Sequence, residues 1–216
     1  MQTGKPMYVA IEGPIGVGKT TLANLLAKRL GARLCLEEVE ENPFLPKFYK
    51  DRARFAFQTQ LFFLLSRFRQ QSNILQGDLF AQGGVVSDYL MVKDRLFAAL
   101  NLADDEMALY DRVWNIVHPR APKPDLLILL MADMDVLLNR IKQRGRVFEK
   151  GMDRKYLREV RNLYSEYFFD YSDTPLLVVD TSEIDYVRST ADQDHLIAVI
   201  REHRGGIRHY KPLGSE

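Results

Sequence analysis

Gly13-Pro14-Ile15-Gly16-Val17-Gly18-Lys19-Thr20 fills every fixed position of the pattern G-x-x-x-x-G-K-[ST], which is typical of a phosphate-binding loop. The apolar residues 7–11 before it have the composition of a buried strand, and the leucines of residues 21–30 after it recur at helical spacing. This context argues against a glycine-rich turn that matches the pattern by chance. The sequence therefore predicts a nucleotide-binding site between a strand and a helix.

Each part of this loop has a physical role in holding phosphate. The glycines let successive backbone N–H groups turn inward around an anion, and the helix N-terminus adds the positive end of its dipole. We expect Lys19 to reach the terminal phosphates and Thr20 to supply a hydroxyl ligand for Mg²⁺. The predicted nucleotide-binding residues of this segment are Gly13, Pro14, Ile15, Gly16, Val17, Gly18, Lys19, Thr20 and Thr21.

Composition limits the classes of protein to consider. The 216 residues suit one domain, residues 1–216, and 30 basic against 29 acidic side chains leave a net charge of +1. No global charge favours nucleic acid or a membrane surface, and residues 1–6 contain no apolar leader segment. We therefore expect a cytoplasmic protein. Its single cysteine, Cys35, lies in an apolar segment and is interpreted as an inert buried thiol.

The chain alternates between predicted strands and helices. Beyond the first strand, strands are expected at residues 33–36, 85–87, 125–131 and 175–179, and the tail after residue 205 is expected to be loosely held. A five-stranded parallel sheet flanked by helices in three layers follows from this alternation. Acidic residues follow two of these strands. Glu37 and Glu38 follow the second strand, and Asp88 follows the third. Open parallel sheets bind ligands at that edge.

A long helix is predicted from about residue 54 to residue 76, with one apolar face. Gln60 and Arg67 lie seven residues apart, so at about 100° per residue they share one edge of that face. Polar groups at this position face a cavity or a partner. Gln58 is an alternative to Gln60, but it projects toward the other side of the apolar stripe.

These motifs together resemble the deoxynucleoside kinase family, and most of all the bacterial deoxyadenosine and deoxyguanosine kinases. The resemblance is carried by the phosphate loop, the segment L-E-E-V-E-E-N-P-F that contains Glu37, and the Q-x6-R pair. It is also carried by R-x3-R-x-R at Arg140, Arg144 and Arg146, and it extends over about residues 7 to 185. It implies a P-loop kinase that uses ATP and Mg²⁺ and carries a short arginine-rich lid at about residues 144–153.

The resemblance also implies catalytic roles. Glu37 matches the general base that takes the proton of the deoxyribose 5′-hydroxyl, which fits a reaction whose other requirements are positioning and charge neutralisation. Glu37 could instead be a solvated strand-end acid, with Glu38 as the substitute. Asp88 matches the acid that holds Mg²⁺ through water or lies near the 5′-hydroxyl. Lys19, Arg144 and Arg146 complete the predicted catalytic set.

The remaining matched residues are expected to bind the two substrates. Gln60, Arg67 and Asp94 match the set that reads the nucleobase, although Arg67 and Asp94 could form only a structural ion pair. Tyr49 and Glu149 match groups that contact the sugar 3′-hydroxyl. Packing alone is the alternative role for Tyr49 and for Phe97, which could also stack on the base. Arg140 and the loop 180–185 are expected to lie against the adenine of ATP, and Arg144 on its phosphates.

One segment departs from the family pattern. Asp88-Tyr89-Leu90 stands where many relatives carry a carboxylate followed by Arg and Ser or Thr, so the arginine is absent. Lys93, one helical turn beyond Tyr89, is a candidate to return a positive charge to that place.

We expect this chain to phosphorylate deoxynucleosides at the 5′-hydroxyl, with purine deoxynucleosides as the favoured acceptors. A thymidylate-like nucleoside monophosphate kinase is the alternative enzyme, but the acids at Glu37, Glu38, Glu40 and Glu41 would repel an acceptor phosphate. A nucleotide-binding subunit without turnover is the non-enzyme alternative, supported by the missing arginine. The expected partners are small molecules and a second subunit, in a homodimer or a heterodimer with a sister chain.

Overall fold

A computed structural model describes residues 7–77, 84–150, 152–186, 189–203 and 205–212. Residue 151 of the predicted lid and residues 213–216 of the predicted tail lie outside these ranges. The strands are β1 Tyr8–Glu12, β2 Arg33–Cys35, β3 Val85–Ser87, β4 Leu126–Met131, β5 Leu176–Asp180 and β6 Ile207–Tyr210. The α-helices are α1 Lys19–Leu30, α2 Leu45–Phe48, α3 Arg52–Gly77, α4 Val92–Asn101, α5 Asp104–Val117, α6 Met134–Arg144, α7 Arg154–Phe169 and α8 Thr190–Glu202.

The strands form one parallel sheet in the order β2-β3-β1-β4-β5-β6. This confirms the predicted parallel sheet flanked by helices, but the sheet has six strands instead of five. The additional strand, β6, pairs with β5 and lies in the tail that was expected to be loosely held. The polar sequence Ile207-Arg208-His209-Tyr210 lacks the apolar run by which the other strands were recognised.

Alternating residues of the strands bury two separate cores. Val9 and Ile11 of β1 belong to a cluster on one face of the sheet that includes residues of α1, α6 and α8. Tyr8 and Ala10 face the opposite cluster, which contains residues of α3 and α7. Because both faces are covered, the central strands are mostly apolar, as is typical of parallel sheets, and their polar residues, Glu12 and Ser87, lie at the strand ends.

A third cluster fixes helices α3, α4 and α5 to one another. It contains Leu64, Met91, Ala98, Tyr110 and Trp114, and Trp114 is therefore a core residue. This packing orients the α3 edge that carries Gln60 and Arg67 toward the carboxyl ends of the strands. Among the described residues, none of the helices combines the length and hydropathy needed to cross a bilayer.

Candidate active site

A cavity of about 810 Å³ opens at the carboxyl ends of β1, β2 and β3. The phosphate loop forms one side of it, α3 and α4 form the opposite side, and the end of α6 with the segment 146–149 of the predicted lid completes the lining. The position is the one expected for an open parallel sheet, where the strand order reverses around β1. The predicted site residues that line it are Ile15, Gly16, Gly18, Lys19, Thr20, Thr21, Glu37, Tyr49, Gln60, Arg67, Asp88, Phe97, Arg140, Arg144, Arg146 and Glu149.

Backbone geometry explains the glycines of the loop. Gly13 has a φ of 142°, and a Cβ there would lie 2.2 Å from the carbonyl oxygen of Leu130 on the neighbouring strand. Gly18 has a φ of 104°, and a Cβ there would lie 2.2 Å from the hydroxyl oxygen of Tyr186. Only glycine fits these positions, because both the conformation and the space exclude a side chain.

The ammonium group of Lys19 lies inside the curve of the loop. It donates to the carbonyl oxygens of Gly13, at 2.7 Å, and Pro14, at 3.1 Å. Desolvation and, to a smaller extent, the positive charge of Lys93 lower the pKa of Lys19 to about 8 against the opposing effect of nearby carboxylates. Because burial disfavours the charged form of this lysine, an anion bound beside it would stabilise the ammonium group strongly.

A hydroxyl and a carboxylate, those of Thr20 and Asp88, lie next to each other at the end of the loop. Thr20 Oγ1 donates to Asp88 Oδ2 over 2.6 Å, and the other oxygen of Asp88 accepts the backbone N–H of Glu37 over 2.8 Å. A hydroxyl and a carboxylate suit Mg²⁺ when phosphates complete the shell. The described residues contain no group of three or more His, Cys, Asp or Glu side chains that could hold a metal without such help.

Glu37 is the centre of a buried group of charges. Arg67 donates from Nε and Nη2 to Glu37 Oε1, and Lys93 Nζ lies 2.5 Å from Glu37 Oε2. Burial would raise the pKa of Glu37, but the charges of Lys93 and Arg67 outweigh it and hold that pKa well below its usual range. Glu38, the alternative base, instead accepts from Ser66 and Arg69 outside the group of lining residues.

Asp94 lies behind Arg67 and is fully buried. It accepts from Arg67 Nη1 and from the hydroxyl of Tyr110. Burial raises the pKa of Asp94 to about 6 despite these partners, so the carboxyl is ionised at neutral pH. The predicted ion pair is thus formed, with Arg67 facing the cavity and Asp94 supporting it from the protein side. Of the predicted site residues, Gly13, Pro14, Val17 and Asp94 are not among the described lining residues.

Gln60 and two phenylalanines form the wall beside this charge group. Gln60 is only 3% exposed, and its Oε1 has no hydrogen-bond partner among the described residues. Phe63 and Phe97 line the same region, and Gln58 is exposed on the other side of α3. A buried amide oxygen without a partner beside a cavity favours a ligand that donates a hydrogen bond there.

The lid arginines are held by protein carboxylates. Arg144 makes a bidentate contact with Glu149, with Nη2 2.7 and 2.8 Å from the two carboxylate oxygens. Arg146 lies near both Glu149 and Glu40. Glu149 is almost fully buried, and Tyr49 stacks on neighbouring Phe148 with ring centroids 5.9 Å apart. Lid residues and predicted sugar-binding residues therefore share one corner of the cavity.

Arg140 joins the phosphate loop to the end of β5. Its guanidinium donates to the carbonyl oxygen of Val17, to Thr181 Oγ1 and to the Thr181 carbonyl oxygen. Tyr186 closes the same side, with its hydroxyl 3.3 Å from the carbonyl oxygen of Val17 and 3.2 Å from that of Gly18.

Several residues of the site escaped sequence analysis. Tyr186, Phe63, Phe148 and Tyr156 line the cavity, yet aromatic residues at helical spacing or in loops gave no signal that distinguishes them from core residues. Glu12 could have been found, because an acid that ends an otherwise apolar strand is unusual. It is fully buried.

The departure at Asp88-Tyr89-Leu90 has a structural explanation. Tyr89 is fully buried, with its hydroxyl 3.7 Å from Cys35 Sγ, and Leu90 is buried as well. The ammonium of Lys93 supplies the positive charge beside Glu37. The compensation by Lys93 that the sequence suggested is therefore sterically possible.

The fold and the cavity define a P-loop phosphotransferase with a protein carboxylate facing the phosphate loop. The family model described as deoxynucleoside kinase matches residues 9–204. This chain belongs to the deoxynucleoside kinase family.

Individual relatives agree with this assignment. The deoxyguanosine kinase of Bacillus subtilis is 34% identical over 201 residues, which cover 90% of this chain and 96% of that protein. The deoxyadenosine/deoxycytidine kinase of the same organism is also 34% identical, with 89% and 91% covered. The structure of deoxyadenosine kinase from M. mycoides with bound dCTP has a TM-score of 0.76 and 27% identity, and covers 90% of this chain and 99% of that one.

Proposed function

We propose that this enzyme transfers the γ-phosphoryl group of ATP to the 5′-hydroxyl of a purine deoxynucleoside. The products are the deoxynucleoside 5′-monophosphate and ADP, as in nucleotide salvage. The observation that carries the proposal is the carboxylate of Glu37, which lines the cavity between the phosphate loop and Gln60. Membership of the deoxynucleoside kinase family supports the reaction.

Glu37 acts as the general base in this reaction. Its carboxylate takes the proton of the 5′-hydroxyl while that oxygen attacks the γ-phosphorus, and the bond from the γ-phosphorus to ADP breaks. Charge that develops on the transferring group is stabilised by the loop N–H groups, Lys19, Arg144 and Arg146. Arg144 must exchange Glu149 for phosphate to do so, since the two are paired in this structure.

Thr20 and Asp88 would hold Mg²⁺ beside the phosphates of ATP. Their oxygens already lie within hydrogen-bond distance of each other at the end of the loop. The metal, when bound, supplies charge neutralisation on the phosphate oxygens.

The acceptor is a neutral nucleoside and not a monophosphate. Glu37 together with Glu38, Glu40 and Glu41 makes the acceptor side acidic, so a second phosphate there would be repelled. Gln60 offers an amide that can rotate to serve adenine or guanine, and Phe97 offers a face for the base. Tyr49 and Glu149 bind the sugar 3′-hydroxyl in this proposal.

The enzyme works as a dimer in the cytoplasm. The outer faces of α3 and α5 carry exposed apolar side chains, with Leu65 at 49%, Leu109 at 50% and Ile116 at 62% exposure. Apolar surface of this kind on two adjacent helices supports pairing with a second subunit.

A panel of acceptors tests the function. ADP formation from ATP is measured with deoxyadenosine, deoxyguanosine, deoxycytidine, thymidine and the matching monophosphates. We expect the highest kcat/KM with a purine deoxynucleoside and no activity on monophosphates. Activity on monophosphates alone would establish the alternative kinase, and ADP release at background with every acceptor would leave a nucleotide-binding subunit. Sedimentation of the protein alone tests the dimer.

A further inference from the structure

Lys93 occupies an unusual place for a lysine. It lies in the first turn of α4, is 8% exposed, and directs its ammonium into the cavity. The N-terminal turn of a helix disfavours cations because the helix dipole is positive there. The helix dipole therefore does not favour a lysine at this position, and its contacts in the cavity are the ones to consider.

The two oxygens of Glu37 are held by different kinds of cation. Arg67 on Oε1 is itself anchored, since it also pairs with Asp94 and lies 4.8 Å from the ring centroid of Phe63. Lys93 on Oε2 is a point charge on a flexible stem, and Glu37 is its ion-pair partner in the part of the chain that the structure describes. Lys93 also lies 5.9 Å from the ring centroid of Phe97, but it has no second carboxylate partner such as Asp94 among the described residues. A hydroxyl that comes to Glu37 can therefore displace Lys93 more easily than Arg67.

A second position for the Lys93 ammonium exists in the cavity, beside a phosphate bound by the loop. Lys19 and Lys93 line the same cavity, and their positive charges act on each other. Two ammonium groups that share a cavity repel unless an anion lies between them. The terminal phosphate of a nucleotide bound by the loop would be that anion.

We propose that Lys93 is a further catalytic residue, whose ammonium moves from Glu37 Oε2 to the transferring phosphoryl group when the acceptor hydroxyl binds. The inference rests on the proposed function. The acceptor proton passes to Glu37, the acceptor oxygen forms its bond to the γ-phosphorus, and the bond to ADP breaks with its electron pair left on ADP. Lys93 keeps its protons throughout and contributes charge.

Lys93→Met, which keeps the length of the side chain and removes its charge, is the main variant. Lys93→Arg keeps the charge, and Arg95→Met is the matched control, because Arg95 is a cation of the same helix that pairs with Asp111 at the surface. For each protein, kcat and both KM values are measured, together with calorimetric affinities for the deoxynucleoside alone and for ADP with magnesium and aluminium fluoride in the presence of saturating deoxynucleoside.

We expect Lys93→Met to lower kcat by about 100-fold and to weaken the aluminium fluoride complex by a similar factor. Deoxynucleoside affinity should be unchanged or higher, since Lys93 competes with the acceptor for Glu37. Lys93→Arg should restore most of kcat, and Arg95→Met should resemble the parent. A merely structural ion pair would instead lower the melting temperature and deoxynucleoside affinity without a separate loss in kcat.

Retention of kcat within about threefold in Lys93→Met would overturn the proposal, as would a loss explained entirely by weaker deoxynucleoside binding. If Lys93→Met does not fold, Lys93→Gln takes its place, since an amide can still donate to Glu37 without charge. If the parent phosphorylates no nucleoside, the proposed function fails. The aluminium fluoride affinities then still decide whether Lys93 contacts a phosphoryl group.

Discussion

Thr20 Oγ1 and Asp88 Oδ2 lie 2.6 Å apart, which joins the start of α1 to the end of β3. Asp88 also accepts the backbone N–H of Glu37, so one carboxylate connects the phosphate side of the cavity to the acceptor side. The distance between the two substrates is therefore set in part by Asp88.

Thr20→Val removes this hydroxyl with little change in shape, whereas Thr20→Ser keeps it. We expect Thr20→Val to raise the Mg²⁺ concentration needed for half-maximal activity by at least about tenfold, because the proposed hydroxyl ligand of the metal is lost. Thr20→Ser should stay close to the parent. Magnesium titration of the activity at fixed ATP measures both, and equal titration curves for the three proteins would contradict the role of Thr20.

Glu37→Gln should lower kcat by about 100- to 10,000-fold, because an amide cannot take the proton of the acceptor. Deoxynucleoside binding should persist, since the amide oxygen can still accept from Arg67. Glu38→Gln is the control, as that acid contacts Ser66 and Arg69 instead. Steady-state kinetics and calorimetry separate the two effects. Substantial turnover in Glu37→Gln together with loss in Glu38→Gln would move the base to residue 38.

Gln60→Leu should affect activity and stability in opposite directions. The buried Oε1 has no partner among the described residues, so its removal should leave the free energy of unfolding unchanged or higher. If Gln60 reads the base as proposed, its loss should lower kcat/KM for purine deoxynucleosides by at least about tenfold. Gln58→Leu, at the exposed neighbouring position, should leave kcat/KM unchanged. Urea denaturation and acceptor kinetics test this, and lower stability without a kinetic loss would show that Gln60 has only a structural role.

The pH dependence of kcat/KM should reflect the protonation of Asp94. Burial raises the pKa of Asp94 to about 6, so the carboxyl becomes protonated and its pairing with Arg67 weakens as the pH falls through that value. We expect kcat/KM for the deoxynucleoside to fall below about pH 6, with this acid limb absent in Asp94→Asn.

Protonation of Asp94 at low pH should lower activity but should not lower the stability of the folded protein. Because its pKa in the folded protein lies above the ordinary value of 3.8, its contribution to stability is present at low pH and is lost as the pH rises through about 6. Loss of activity near pH 6 should therefore occur without unfolding through this group. An acid limb that persists in Asp94→Asn would assign it to another residue.

Glu12 should contribute to stability through three donors. Its carboxylate accepts the backbone N–H groups of Gly13 and Leu90 and, over 2.8 Å, the hydroxyl of Tyr164. Tyr164→Phe removes the last of these and should cost about 2 kcal/mol in the free energy of unfolding. Tyr167→Phe on the same helix is the control, with an expected change below about 0.5 kcal/mol. Urea denaturation of both variants gives the comparison, and equal values would contradict the contribution of Glu12.

Short-range patterns predicted most of the fold. The apolar strands and the amphipathic helix α3 were recognisable because each has a clear composition and period. Strand β6 was not, since its four residues gain their conformation from pairing with the edge of β5 and not from their own sequence. The strand count therefore needed tertiary information.

The site was predicted to a similar extent. Glu37, Asp88 and Gln60 follow from strand ends and helix spacing, both of which are local properties of the chain. The partners of Glu37 do not, because Arg67 and Lys93 come from helices whose relative positions depend on the packing of the whole third cluster. Glu12 was missed for the same reason, because the groups that donate to its carboxylate lie 78 and 152 residues away in the chain.

The guanidinium of Arg67 pairs with two carboxylates at once: that of Glu37, the proposed general base, and that of Asp94, which lies behind it. Selectivity and rate are consequently tied together at this position, so that substitutions at residue 67 or 94 made to broaden the acceptor range will also slow turnover. Engineering toward new acceptors should start from Gln60, Phe63 and Phe97, which shape the wall without holding Glu37.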